Sequence, residues 1–202
     1  MPPREPTDRR RAILDTAAAL FARKGVAATT VRDIGREVGI LSGSLYHHFD
    51  SKEAMVDEIV TAFFDELRAR YKEVLASDAD ARTRLRDLVL ASLEVGQQHL
   101  HAIGIYQNDV NYLSRLERFG YLDSNAREIQ AAWLAVIDAG IAEGLFRDDL
   151  DAKVAYRLMR DALWLSVRWF KPSRDYPVRR LAEDCTSFFI DGIAARGRKL
   201  AR

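Results

Sequence analysis

The sequence predicts an all-α protein in two parts: an N-terminal three-helix domain with a helix-turn-helix over residues 1–52, and a helical bundle over residues 53–202. Three observations predict it. Apolar residues recur at helical spacing in one segment after another. Proline is absent between Pro6 and Pro172. No run of β-branched residues alternates with polar ones, as a half-buried strand requires. At 202 residues, 48% hydrophobic and 30% charged, the chain has ordinary globular composition and is long enough to bury a core.

The elements follow in order. Residues 1–7, proline-rich and charged, read as an arm, and Thr7 is expected to cap a first helix. Its stripe is Ala12, Ile13, Ala17, Leu20 and Phe21, closed by Lys24 and Gly25. Thr29 or Thr30 is expected to cap a second helix, and Thr30 and Asp33 have the spacing of a capping box, with Val31, Ile34 and Val38 inward and Gly39 as its stop. Ile40 and Leu41 cross the turn, and Ser42 or Gly43 starts a third helix anchored by Leu45 and Phe49. Asp50 and Ser51 cap a long helix expected to end near Leu75, with Met55, Val56, Ile59, Val60, Phe63 and Phe64 as its stripe. Further helices are expected near 81–100, 102–115, 122–144, 151–170 and 178–197, broken at Gly120, at 144–149 and at Pro172–Pro177.

Composition excludes several classes. The net charge of +1 is too small for a binder of nucleic acid that works by charge alone. The charge is uneven, however, with nine cations against six acids up to Lys52. Cys185 is the lone cysteine, so no intrachain disulfide forms, and no Cys/His group has metal-ligand spacing. No apolar run is long enough for a membrane span and no signal peptide is visible, so a cytoplasmic protein without membrane association is expected. Neither a G-x-S-x-G elbow nor a phosphate-binding loop is present, and no enzyme activity or cofactor is expected.

The stretch Thr30–Lys52 carries the functional signal. Its third helix has small and hydroxyl side chains where a surface helix usually carries Lys and Glu. Ser42, Gly43 and Ser44 would let a helix sink into the DNA major groove and offer hydroxyls to base edges. Backbone N–H groups near Thr30 suit a phosphate, and Tyr46, His47 and Lys52 have the reach for flanking phosphates. A plain helical hairpin with a serine-rich turn would leave the same pattern. The segment resembles the N-terminal domain of TetR-family repressors, whose motif is a capped helix, a glycine turn, G-x-L-Y-x-H-F and then S-K-E. The matching residues are Thr30, Gly39, Gly43, Leu45, Tyr46, His48, Phe49, Ser51, Lys52 and Glu53. The resemblance implies a homodimer on palindromic double-stranded operator DNA, with a ligand-binding C-terminal domain. It also implies that Leu45 and Phe49 are structural, while Ser42, Ser44, Tyr46, His47 and Lys52 face DNA.

In the second part, residues 151–170 are the most informative. At 100° per residue, Arg157, Arg160, Asp161, Trp164 and Arg168 fall within one stripe roughly 100° wide. The other directions are apolar, which predicts a buried helix. Two readings fit the stripe: cations for an anionic ligand with Trp164 covering its apolar body, or an ion-paired dimer interface. Gln97, His101, Tyr106, Gln107, Asp109, Asn111 and Trp133 are further polar candidates for the same cavity.

The stretches Gly39–Glu58, Gly140–Asp151 and Arg160–Pro172 are similar, more closely, to actinobacterial repressors of steroid degradation that govern the later rings of cholesterol. That resemblance implies an inducer that is a coenzyme A thioester of a bicyclic steroid fragment. A fatty acyl-CoA or another amphipathic anion would suit the same residues.

Overall fold

The structure is a computed structural model that describes residues 6–194. Among these it contains nine α-helices and no strand. Two compact units divide them: residues 6–65 with 99–122, and residues 66–98 with 123–194. The first unit thus takes in 53–65 and 99–122 besides the three helices expected over 1–52. Helix α4 (Lys52–Leu75) is continuous and contributes residues to both units. Among the described residues no helix is long and apolar enough to cross a membrane.

Helix α1 (Pro6–Lys24) begins before Thr7, so Thr7 lies within the helix instead of capping it. The arm through residue 5, Arg4 included, lies outside the described residues. The stripe is as expected: Ile13, Ala17, Leu20 and Phe21 are buried. It packs against α2 (Val31–Val38) and α6 (Leu100–Leu113). Gly39 ends α2 in the left-handed region at φ 75°, which a residue with a Cβ reaches only with strain. Leu45, Phe49, Met55, Val56 and Phe64 complete the apolar interior of this unit.

In the second unit α5 (Ala81–Gln98) packs against α8 (Ala152–Leu165) and α9 (Val178–Ile193). A short 3₁₀ turn, Ser166–Arg168, ends α8 earlier than the expected 151–170. The last helix stops at Ile193; its expected continuation to 197 falls outside the described residues. Gly140 of α7 (Leu122–Ala142) lets the Phe146 ring lie directly on the helix, where a Cβ would overlap it. A polar chain runs through the core of this unit. Ser92 Oγ donates to Leu88 O at 2.6 Å, so the Tyr71 hydroxyl, 2.6 Å away, must donate to Ser92. Trp133 Nε1 then donates to Tyr71 Oη at 3.0 Å. Burial pushes the Tyr71 phenol up to about 12.

Replacing Tyr71 by Phe leaves the buried indole N–H without an acceptor. We expect the variant to lose about 1–3 kcal/mol in urea unfolding, with an unchanged denaturant slope. An unchanged midpoint would mean that the network carries no stability.

Candidate functional site

The first unit carries the residues expected to face DNA, and the position of each follows from local chemistry. Thr30 Oγ1 accepts from Asp33 N–H at 3.1 Å, while the Asp33 carboxylate accepts from Thr30 N–H at 3.1 Å and from its hydroxyl at 2.7 Å. The hydroxyl bond, then the backbone bond, hold the Asp33 carboxyl below the usual carboxylate range, and Lys24 and Arg36 add to them. Thr30, expected near a phosphate, thus has its N–H and hydroxyl committed to the cap, where they fix the start of α2. Gly35 has no room for a side chain: a Cβ there would stand 2.9 Å from Ile40 O. Its carbonyl accepts from Ile40 N–H at 2.9 Å, which draws the turn tightly onto α2.

The turn delivers α3 (Ser42–Leu45), a single helical turn followed by non-helical residues at Tyr46, His47 and His48. Leu45 is fully buried and Phe49 nearly so, which seats the segment. Gly43, Tyr46 and His47 are exposed, with Ser42 and Ser44 half-buried between them. These five expected residues therefore lie together on one accessible stretch. Arg10 braces it from α1, its guanidinium 4.4 Å from the Phe49 ring centroid and paired with both Glu58 oxygens at 2.6 Å.

Lys52, expected at a flanking phosphate, is held by the turn between α1 and α2. Its ammonium donates to Val26 O at 2.7 Å, Thr29 O at 3.0 Å and Ala27 O at 3.4 Å. Lys52 thus gives the carbonyls of the turn that follows α1 a shared cationic donor. Asp109 of α6 takes the opposite pole of the same turn, accepting from Val26 N–H at 3.2 Å. Burial raises the Asp109 carboxyl, and the Val26 bond and Lys52 pull it back down. Asp109, a candidate for the ligand cavity, holds the turn between α1 and α2 through this bond. This pairing spans 83 residues, so no local pattern announces it.

The other candidates divide between the two units. Tyr106, packed edge-on against Phe64 with centroids 5.2 Å apart, and the half-buried Gln107 belong to the first. Trp133 is buried in the second, its indole N–H already bonded. Asp151 caps α8, accepting from Lys153 N–H at 2.9 Å and Val154 N–H at 3.0 Å. This helix is not buried all round, as its apolar composition suggested. Ala155, Tyr156, Met159 and Leu163 face inward, but Val154, Leu158 and Leu165 are exposed, Leu158 to 68%. Arg157 and Arg168 are exposed, and Arg160 and Trp164 are half-buried. Arg160 donates to Asp161 at 2.7 and 2.9 Å and sits 5.5 Å from the Tyr156 ring centroid. Tyr156 was not anticipated; its position on the inward face beside Arg160 was the available signal.

An all-helical chain with a capped helix, a glycine turn and an accessible one-turn helix is the architecture of a DNA-binding regulator, and comparison with known proteins agrees. The chain belongs to the TetR family: residues 13–59 match the family model for bacterial regulatory proteins of the tetR family, and residues 78–193 match the tetracyclin repressor-like C-terminal domain. It is similar to the HTH-type transcriptional repressor KstR2 of Rhodococcus jostii, with 46% identity over 93% of this chain and 92% of that protein. KstR2 of Mycobacterium tuberculosis is 42% identical over 94% of each chain. The solved structure of that ketosteroid transcriptional regulator superposes with a TM-score of 0.88, covering 93% of this chain and 96% of the other.

If Lys52 supports the turn and does not touch a phosphate, Lys52→Met should weaken DNA binding roughly tenfold and leave the salt dependence of binding unaltered. Loss of about one unit from the slope of log affinity against log salt would put Lys52 on a phosphate after all.

Proposed function

We propose that the protein is a homodimeric repressor of steroid-degradation genes that binds palindromic operator DNA and is released by a coenzyme A thioester of a steroid fragment. The observation that carries the DNA-binding part is α3 itself, an accessible helix with no long side chain between Ser42 and Ser44, and so free to approach base edges. The repressor role and the steroid pathway rest on the likeness to KstR2 repressors across nearly the whole chain.

One turn of helix makes few base contacts, so affinity requires two copies on a palindrome. The second unit offers the surface for that. Val154, Leu158 and Ala162 of α8 and Phe188, Phe189 and Ile193 of α9 line a groove of about 550 Å³, with Phe188 79% exposed. An apolar face of this kind, open to water in a single chain, suits a self-complementary two-fold interface.

The effector reading rests on the α8 stripe. Arg157, Arg160 and Arg168 supply planar cations for phosphate oxygens, and the half-buried Trp164 supplies a flat surface for fused rings. Arg160 already has a neutralising partner in Asp161, so an anion would have to displace or share that contact.

A gel shift with the palindrome nearest the protein's own promoter tests the DNA reading: a shift at low salt is expected, and its absence overturns the proposal. Thermal-shift screening should find stabilisation by steroid-CoA thioesters above fatty acyl-CoA; the reverse order would move the effector to the fatty acyl class. Arg160→Met should abolish release by the effector and leave operator affinity unchanged, whereas loss of the dimer would assign the stripe to the interface. Leu158→Asp should halve the mass in sedimentation and abolish operator binding at nanomolar protein.

A further inference from the structure

Leu41 is 81% exposed, the most exposed large apolar side chain among the described residues. A single exposed leucine would by itself be ordinary, but this one occupies the N-cap of α3 and makes no side-chain capping hydrogen bond. Ser, Thr, Asp or Asn would be the favoured residues there, because their side chains accept from the first-turn N–H groups. The position therefore combines two local disadvantages, an uncovered isobutyl group and an uncapped helix. Its backbone is fully regular, at φ −65° and ψ 141°, so no strain demands leucine. Residues that break a local rule without a structural return concentrate at functional sites.

The neighbours say what the function is. Leu41 directly precedes Ser42, Gly43 and Ser44, the small residues that allow close approach, and Tyr46 is itself 57% exposed. A side chain at the leading end of a reading helix meets base edges before it meets phosphates. Of the four bases in the major groove, only thymine offers an apolar group, its C5-methyl. We infer that Leu41 is a specificity-determining residue that recognises a thymine methyl in each operator half-site. The inference rests on α3 being the DNA-reading helix and adds to it a base preference, which the serines, able to bond either way, do not supply.

The test uses the full-length protein and an operator fragment located by footprinting. Each thymine of a half-site is replaced in turn by uracil, which removes the methyl and nothing else, and affinity is read by fluorescence anisotropy. One position in each half-site should weaken wild-type binding about fourfold, the worth of one buried methyl. Leu41→Ser restores a capping side chain, so this variant should be at least as stable as the wild type by thermal unfolding. It should bind the thymine and uracil operators equally. A wild type indifferent to every uracil overturns the inference, as does a thymine preference that persists in Leu41→Ser. Failure of the wild type to bind any fragment at low salt would overturn the DNA-reading role as well, so the two failures are distinguishable.

Discussion

The reading surface depends on how one short turn is held. Between α1 and α2 the chain runs through Gly25, at φ 84°, to Thr29, and the carbonyls of Val26, Ala27 and Thr29 all meet the ammonium of Lys52. The amide of Val26 meets the carboxylate of Asp109. A cation thus sits on the acceptors of the turn and an anion on its donor, each from a different helix. Charge-assisted bonds of this kind are shorter and stronger than neutral ones. Thr30 follows at once and starts α2; α2 sets Gly39, and Gly39 sets α3. The angle at which Ser42–Ser44 is presented thus traces back to the first residue of α4 and one residue of α6.

This arrangement ties residues beyond Lys52 into the compact unit of the three-helix head. Residues 99–122 join the same compact unit because Asp109 bonds to the turn and α6 packs along α1. The Asp57 carboxylate adds a second tie within the unit, accepting from Tyr121 at 2.8 Å and Arg118 at 3.1 Å. A signal that displaces α6 or the early part of α4 would act on the turn directly, through bonds of roughly 3 Å with defined directions.

Local features were legible in the sequence. The Thr30–Asp33 box, the stop at Gly39 and the buried stripe of α1 each follow from spacing and side-chain chemistry within a few residues. The segment from Ser42 to His47 stands out because its composition departs from that of an ordinary surface helix. What is not legible depends on partners far along the chain: nothing in the sequence around Lys52 marks the carbonyls of Val26, Ala27 and Thr29 that its ammonium meets. Helix α8 escaped in another way. Periodicity shows that Val154, Leu158 and Leu165 are apolar; it does not show whether their own chain or a second copy covers them. Leu41 read as a turn residue, since only its exposure and its uncapped helix reveal that nothing local explains it.

The proposed function requires DNA reading and effector binding to be coupled within one dimer. Coupling between two ligands is reciprocal, so a thioester that weakens operator binding by some factor must itself be weakened by operator to the same extent. Calorimetry of a steroid-CoA thioester binding to the free protein and to its saturated operator complex measures this most directly. The expected result is an affinity lowered in the complex by the factor found in the operator titration. Equal affinity with and without DNA would contradict it.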